Sequence, residues 1–515
     1  MASAPTAPQQ QQDDNPLVEG LERLPVHPTA LTIFGATGDL SRRKLLPALY
    51  NLAHEGALPE RFALIGVSRS DKSDDEFRDE ARKAICEFSR RKPDDSVLDA
   101  LLGRMRYLGF SFDDSAGYGR LAEALTAADE EAGQPLNRVY YLSTAPDYFG
   151  TIPDQLREAG LNYLKDRDTR CVIEKPFGTD LASARALQTQ VSQSFRESQI
   201  FRIDHYLGKE TVQNMLAFRF ANYMFEPVWN RNFIDHVQIT AAEDIGIGTR
   251  AGYYDGAGAL RDLVQNHMLQ LLTFLCMEPP VSFGSEQVRN EKVKVLQAIR
   301  PYTPEEVRRH TVRARYTEGM VAGTEVPGYL QEDGVPEDSD TETYAALCLQ
   351  VNNWRWAGVP ICLRTGKRLA RKLTEIAVRL KPVPHMAFQA KGSVGVVPNE
   401  LVITVQPDEG VSLKLGAKIP GATMRIRPVN MEFHYGTSFL SESPEAYERL
   451  IMDAMRGDAT LFTRNDEVDG QWSIIDPILQ AWHSGDFPMA EYPAGSQGPK
   501  EADDLLGGER SWRRL

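Results

Sequence analysis

The sequence predicts an α/β chain: a Rossmann-like, doubly wound domain followed by an α+β domain with a large, mainly antiparallel sheet. Three observations carry this prediction. Between Ala30 and Ile203, short apolar runs alternate with stretches of helical periodicity, the pattern of βα units on a parallel sheet. The first of those runs ends in a glycine-containing turn that opens a helix, the context in which a dinucleotide pyrophosphate is bound. Between Thr343 and Arg427, six strand-like segments follow one another with no helical stretch between them, which reads as an antiparallel sheet.

The elements of the first half follow in order. Ala30 to Phe34 is an apolar strand, and Gly35-Ala36-Thr37-Gly38-Asp39-Leu40 is the turn. Ser41 to Leu52 carries apolar residues at Leu45, Leu46, Leu49 and Leu52, a helical stripe. The second strand, Phe62 to Val67, ends in Ser68-Arg69-Ser70. A carboxylate at this strand end would accept from the ribose of NAD. Arg69 instead offers a planar cation suited to a 2′-phosphate, with Arg42 or Lys44 as alternative readers of the same charge. Helices over 75–90, 118–132 and 152–159 alternate with strands over 106–110, 138–142 and 170–173. The 138–142 strand runs into a loop that holds Tyr148. The 170–173 strand ends in Glu174-Lys175-Pro176-Phe177-Gly178. Asp180 caps the helix 181–196. Ile200 to Ile203 closes the set. Gly35, Arg69, Tyr148, Lys175 and Asp204 all fall at or just past strand ends, where open α/β sheets bind their ligands.

From Phe233 the pattern changes. His236 to Ala242 is extended and ends in Glu243-Asp244. A Gly-rich loop over 246–258 leads into a long helix, Ala259 to Met277, and an acidic loop spans 323–340. The sheet strands fall at 343–352, 359–363, 374–380, 400–406, 411–415 and 423–427, and helices over 445–456 and 474–482 close the chain. The expected boundaries are a disordered tail at 1–28, a dinucleotide-binding domain at 29–203 and an α+β domain at 204–515.

Composition narrows the class. The chain has 515 residues, 42% hydrophobic and 25% charged, with a net charge of −14. No basic stripe marks a nucleic-acid binder, and an anion site must be built locally from a few cations. No apolar run approaches the ~18 residues of a membrane span. The five cysteines (Cys86, Cys171, Cys276, Cys348, Cys362) are scattered, without metal spacing, and read as reduced, mostly buried thiols, which points to the cytoplasm. The N-terminal residues lack a signal peptide's basic start and apolar run.

Two stretches hold the chemistry. Phe201-Arg202-Ile203-Asp204-His205-Tyr206-Leu207-Gly208-Lys209-Glu210 places five functional side chains within seven residues, beside the start of a helix read over 209–222. Backbone amides at a helix start suit an anion, and Lys209 adds a cation to them. In the second stretch, His267 lies on the edge of the apolar stripe Leu260, Leu263, Val264, Met268, with Asp262 nearby. A histidine there is either a satisfied core residue or a general base. Oxidising an alcohol by loss of a hydride to a dinucleotide requires removal of the hydroxyl proton, and an imidazole with an unperturbed pKa of about 6.5 is suited to that. A buried carboxylate on the other ring nitrogen would fix its tautomer, and Asp204 is the candidate.

The string R-I-D-H-Y-L-G-K-E closely resembles the signature of the glucose-6-phosphate dehydrogenase family. The turn from Gly35 through Asp39, Leu40, Ser41 and Arg42 resembles that family's G-A-S-G-D-L-A-K coenzyme turn, with Thr37, Ser41 and Arg42 as departures. Glu174-Lys175-Pro176-Phe177-Gly178 matches its E-K-P-F-G. The resemblance covers roughly residues 30 to 500. It implies that Lys175 touches both coenzyme and substrate and precedes a cis bond to Pro176. It implies that His205, Tyr206 and Lys209 hold a sugar phosphate, as do Lys367 and Lys372 in the later segment that begins Arg364-Thr365-Gly366. Glu243 and Asp262 match sugar-hydroxyl ligands, and His267 matches the proton acceptor, paired with Asp204. The implied reaction is NADP-dependent oxidation of D-glucose 6-phosphate at C1 to the 6-phospholactone, the first step of the pentose phosphate pathway. NADP is the expected coenzyme and no metal is expected. The implied assembly is a homodimer or homotetramer through the C-terminal sheet, with neither nucleic acid nor membrane as partner. Residues 407–427 follow the bacterial form of the family, which gives little support for an extra structural NADP site. Two rivals stand beside this reading: another oxidoreductase of the glucose–fructose oxidoreductase type, and a sugar-phosphate sensor without catalysis.

Overall fold

The alternation of apolar runs and helical stripes becomes one seven-stranded sheet. A computed structural model of the protein describes residues 26–385, 397–421, 424–435, 444–485, 487–508 and 510–515. The first six strands are β1 (Thr29–Phe34), β2 (Phe62–Ser68), β3 (Met105–Gly109), β4 (Asn137–Leu142), β5 (Thr169–Ile173) and β6 (Ile200–Ile203). They are parallel, in the order β6-β5-β4-β1-β2-β3. β1 is apolar throughout and buried on both faces, as a central parallel strand must be. Phe34 pairs with both Val67 and Leu142, and Leu142 with Ile173, so the carboxyl ends of the central strands lie level. Gly35, Ser68, Ser143 and Glu174 therefore emerge along a single edge.

The second sheet has nine strands: β7 (Ile234–Ala242), β8 (Thr311–Thr317), β11 (Tyr344–Gln350), β12 (Pro360–Gly366), β13 (Leu373–Leu380), β14 (Glu400–Gln406), β15 (Gly410–Lys418), β16 (Ile426–His434) and β18 (Ala490–Pro493). A separate hairpin pairs β9 (Gly319–Val321) with β10 (Thr324–Val326). The large sheet is mixed: β7 lies in its middle, antiparallel to β13 but parallel to β12, and β18 runs parallel to β8. A late two-residue strand, β17 (Phe462–Thr463), leaves this half of the chain and pairs antiparallel with β6, at the edge of the first sheet. One continuous apolar core runs from the first sheet through helix Leu269–Cys276 to β7, β12 and β13. A smaller cluster around Tyr254, Tyr316, Tyr329 and Tyr344 packs the other face of the second sheet.

Several expectations change. The stretch 246–258 is not all loop. Ala251–Ala259 is helical, because Tyr254 is buried against Tyr329 and the Asp255 carboxylate accepts from the Tyr329 hydroxyl, contacts that outweigh the glycines. The long helix 259–277 is two helices, a π-helical segment Leu260–Met268 and an α-helix Leu269–Cys276. The acidic stretch contains β10 and a short 3₁₀ turn at Tyr329–Gln331. Helices Asp95–Leu102, Ser285–Gln297 and Pro304–His310 were not expected. Two cysteines are not free thiols: Cys348 and Cys362 are register partners across β11 and β12 and form a disulfide. Of the remaining three, Cys171 and Cys276 are buried and Cys86 is exposed. The tail expected at 1–28 lies outside the described residues up to position 25, as does the start of the strand expected at 423.

Candidate active site

The glycine turn after β1 is built by what surrounds it. Gly35 has φ +85°, and a Cβ there would overlap the Ser143 carbonyl oxygen, so only glycine brings the chain this close to β4. The amides of Gly35 and Ala36 donate to the Val67 carbonyl at 2.7 and 3.2 Å. Thr37 donates its amide to the Ser68 hydroxyl, and Ser41 donates its hydroxyl to the Gly35 carbonyl. Gly38 donates to Gly35, tightening the turn, and Leu40 leads into a first helical turn, Ser41–Leu45, of π type. The surroundings fit a dinucleotide: a close-packed glycine turn, a helix start behind it, and cations beyond it. Arg69 follows β2 and is exposed, as is Arg42. Neither takes part in an ion pair among the described residues. Asp39 is spent on Arg43 at 2.8 Å, and Lys44 is held by Glu445 at 3.0 Å. Tyr148 starts helix Tyr148–Glu158 and packs its ring edge-on against Phe112.

The residues expected to react meet where β5, β6 and the π-helical segment converge. Asp204 follows β6, and its Oδ1 accepts from the Tyr206 amide at 3.0 Å and contacts His267 Nδ1. Both residues are inaccessible, at 3% and 0% exposure. Burial pushes the imidazole of His267 well below its ordinary pKa, and Lys175 adds to that. Burial likewise raises the Asp204 carboxyl. The resting imidazole is therefore neutral, with Nδ1–H turned to the carboxylate and a lone pair on Nε2. That lone pair faces the Lys175 ammonium at 2.9 Å. Lys175 Nζ also donates to the Asp262 main-chain oxygen at 3.0 Å and lies 3.4 Å from its carboxylate. Burial works against the Lys175 ammonium, but Asp262 and other negative groups hold its pKa above the usual value. The Lys175–Pro176 bond is cis.

A second set of groups lies alongside. The rings of His205 and Tyr206 pack against His267 with centroids 4.5 and 4.3 Å away. Lys209 sits over the Tyr206 ring at 4.8 Å, and burial lowers its ammonium to about 8. Lys372 is exposed and close enough to Lys209 to contribute to that lowering. Lys367 pairs with Glu243 at 2.7 Å and lies over the Tyr254 ring. Glu243 and Lys367 come from the ends of β7 and β12, the parallel pair in the middle of the second sheet.

Sequence reasoning missed three neighbours of this cluster. Gln406 ends β14, takes the Lys209 ammonium on its Oε1 and donates to Thr374 at 2.9 Å. Glu174 is buried and accepts from the Tyr141 hydroxyl at 2.6 Å; burial pushes its carboxyl up to about 7. Tyr447 stacks on His205, with rings 10° from parallel. No local pattern marks Gln406 or Tyr447, which come from distant elements. Glu174 stood inside a quoted motif but was given no role. A large surface cleft of about 1040 Å³ lies elsewhere, between Tyr223 and Trp354, and shares no residue with this cluster. Among the described residues no group of His, Cys, Asp and Glu is placed to hold a metal ion, and no helix is long and apolar enough to cross a membrane.

Comparison with known proteins completes the picture. The family described as glucose-6-phosphate dehydrogenase, NAD binding domain, matches residues 32–214, and the family described as glucose-6-phosphate dehydrogenase, C-terminal domain, matches residues 216–513. The chain belongs to the glucose-6-phosphate dehydrogenase family. It is 48% identical to glucose-6-phosphate 1-dehydrogenase 2 of Mycobacterium bovis over 505 residues, 97% of this chain and 98% of that protein. It is 47% identical to the glucose-6-phosphate 1-dehydrogenase of Chlamydia pneumoniae, covering 95% and 96% of the two chains. A solved structure of glucose-6-phosphate dehydrogenase in complex with its substrate glucose-6-phosphate superposes with a TM-score of 0.85 at 37% identity, over 93% of this chain and 97% of that one. The enzyme from Mycobacterium avium gives 0.82 at 37%, over 95% and 99%. The family and the fold expected from the sequence are those found.

Proposed function

We propose that this chain oxidises D-glucose 6-phosphate at C1 to 6-phospho-D-glucono-1,5-lactone, transferring the hydride to NADP. The observation that carries the reading is the His267–Asp204 pair, whose Nε2 meets Lys175 at the carboxyl edge of the first sheet. In the reaction His267 Nε2 takes the proton of the sugar O1 hydroxyl, using the lone pair that accepts from Lys175 in the resting enzyme. Asp204 holds the tautomer and stabilises the imidazolium that forms. When bound, the nicotinamide accepts the hydride from C1. Lys175 stands between coenzyme and sugar, and Asp262 and Glu243 accept from sugar hydroxyls. His205, Tyr206, Lys209, Lys367 and Lys372 hold the phosphate.

The turn Gly35-Ala36-Thr37-Gly38-Asp39-Leu40-Ser41-Arg42 and Tyr148 cradle the coenzyme, and Arg69 reads its 2′-phosphate. The boundaries 29–203 and 204–515 divide coenzyme binding from substrate binding and assembly. Assembly of two or four copies through the second sheet is supported by β15 and β16, where Met431 and Phe433 are 62% and 37% exposed. Cytoplasmic location stays an expectation that no longer rests on fully reduced cysteines, because Cys348 and Cys362 are bridged.

The test is coenzyme reduction followed by absorbance, with NADP against NAD and glucose 6-phosphate against glucose. Rapid reduction of NADP by the phosphorylated sugar, with glucose far poorer, is expected. No reduction with glucose 6-phosphate under any coenzyme would leave a sensor as the reading.

A further inference from the structure

His267 and Asp262 are carried by an unusual stretch of backbone. Segment Leu260–Met268 is π-helical over nine residues, whereas such turns mostly occur singly. The geometry explains its use. Asp262 and His267 are five residues apart, and both meet the same Lys175 nitrogen, at 3.0 Å through the Asp262 carbonyl and 2.9 Å through Nε2. At 3.6 residues per turn, an α-helix would place positions five apart about 140° from one another. A π-helix bonds i to i+5 and brings them to one side.

Such a segment needs an anchor, because its first amides find no partner within the helix. The preceding helix breaks at Gly258, with φ 70° and ψ 172°. The amide that follows the break, on fully buried Leu260, donates to Glu342 Oε1 at 2.9 Å. The Ala259 amide donates to the main-chain oxygen of the same residue at 3.1 Å. Glu342 is itself 3% exposed and lies 82 residues downstream, just before β11. A Cβ on Gly258 would overlap the Glu342 carboxylate, so the glycine makes the room that this acceptor needs. The neighbouring strap grips the same region. Thr341 donates its hydroxyl to the Asp255 carbonyl at 2.6 Å, and the Tyr329 and Ser339 hydroxyls both donate to the Asp255 carboxylate.

We infer that Glu342 is a positioning residue for the reaction: its carboxyl fixes the first turn of the π-helical segment, and so sets where Asp262 and His267 meet Lys175. This rests on the reading of His267 as the base. The contacts of Glu342 to this segment are with the main-chain amides of Ala259 and Leu260, so it acts through backbone amides rather than through charge.

Three variants of the full-length enzyme separate these roles: Glu342→Gln keeps an acceptor oxygen, Glu342→Ala removes it, and Glu342→Asp keeps the charge but shortens the reach. Each is assayed for kcat and for KM of both substrates, and for hydrogen exchange of the amides over 258–268. The alanine variant should exchange faster over that segment and lose about 10- to 100-fold in kcat, since a misplacement of about 1 Å costs on the order of 10². Its KM for coenzyme should be unchanged. The glutamine variant should stay close to the parent in both measurements, and the aspartate variant should resemble alanine. Unchanged exchange in the alanine variant overturns the inference, and so does faster exchange with parental kcat per folded molecule. If the alanine variant does not fold, the order of kcat decides: glutamine above aspartate supports the role, and the reverse refutes it. Parental turnover in His267→Asn would instead remove His267 as the base, while the exchange result would still report on the anchor.

Discussion

Replacing Asp204 with asparagine tests the catalytic pair without changing its shape. The two residues are 3% and 0% exposed, so on the proposed mechanism the imidazolium formed at His267 has little help from water. Its compensation is the Asp204 carboxylate on Nδ1. Two unit charges about 4 Å apart attract by about 4 kcal/mol at an effective dielectric of about 20. Asparagine keeps an oxygen for the Nδ1–H but loses that attraction. At 1.36 kcal/mol per tenfold, kcat should fall about 10³-fold, inside the range of roughly 10²–10⁴ for general acid–base catalysis. The Tyr206 amide can still donate to the amide oxygen, so the phosphate side of the pocket should hold and KM for glucose 6-phosphate should change little. The pH profile gives the sign. Removing the anion lowers the imidazole pKa further, so the acidic limb of kcat should move to lower pH. Initial-rate absorbance assays across pH measure all three quantities. A kcat within tenfold of the parent, or an acidic limb that moves upward, would refute the reasoning.

Three other outcomes are expected. Lys209→Ala should raise KM for glucose 6-phosphate far more than for glucose. Because burial holds the parent ammonium at about 8, phosphate affinity should fall as pH rises through that value, and Lys209→Arg should remove this loss; a flat KM from pH 7 to 9.5 in the parent would reject the assignment. Arg69→Ala should weaken NADP about 10- to 100-fold, from the roughly 1.5–3 kcal/mol of a charge-assisted hydrogen bond, and leave NAD unchanged. An unaltered coenzyme preference would move the role to Arg42. Deleting residues 512–515 should lower stability by about 3–5 kcal/mol in denaturant titrations, because Arg513 bridges the buried carboxylates of Glu375 and Glu400 and Trp512 covers Arg364; a loss under about 1 kcal/mol would mean that Arg379 and Lys414 suffice for Glu400 and that the Arg513–Glu375 pair contributes little.

How much could be read in advance depended on how local the signal was. The parallel sheet was legible because each strand is a short apolar run bounded by a helix with its own stripe. Asp204, His205, Tyr206 and Lys209 were legible because they crowd one turn. Lys175 and His267 each had a local mark, one just past a strand end and the other at the edge of an apolar stripe, but nothing local says that segments 92 residues apart will meet. The π-helix was invisible because its apolar positions, Leu260, Leu263, Val264 and Met268, also fit an α-helical stripe. Gln406 ends β14 and Glu342 lies just before β11, each with no pattern around it, and their partners come from distant elements. The cysteine pair was hidden for the same reason: only the pairing of β11 with β12 brings Cys348 opposite Cys362.

The return of β17 to the first sheet bears on how the chain is made. Strand β6 ends at Ile203, but the strand that covers its outer edge is Phe462–Thr463. Helix Ala446–Arg456, which supplies Tyr447 and Glu448, arrives just before it, and Glu448 completes a buried contact with Asn51 and Arg90. A ribosome adding about 5–20 residues per second needs roughly 13 to 50 s to travel from one to the other. Throughout that interval the nascent first sheet carries an open apolar edge, the feature that recruits foreign strands. The amino-terminal half is thus a debtor to sequence not yet translated. Expressed alone as residues 29–203, it should collect in inclusion bodies, while the same fragment co-expressed with 444–515 should become more soluble.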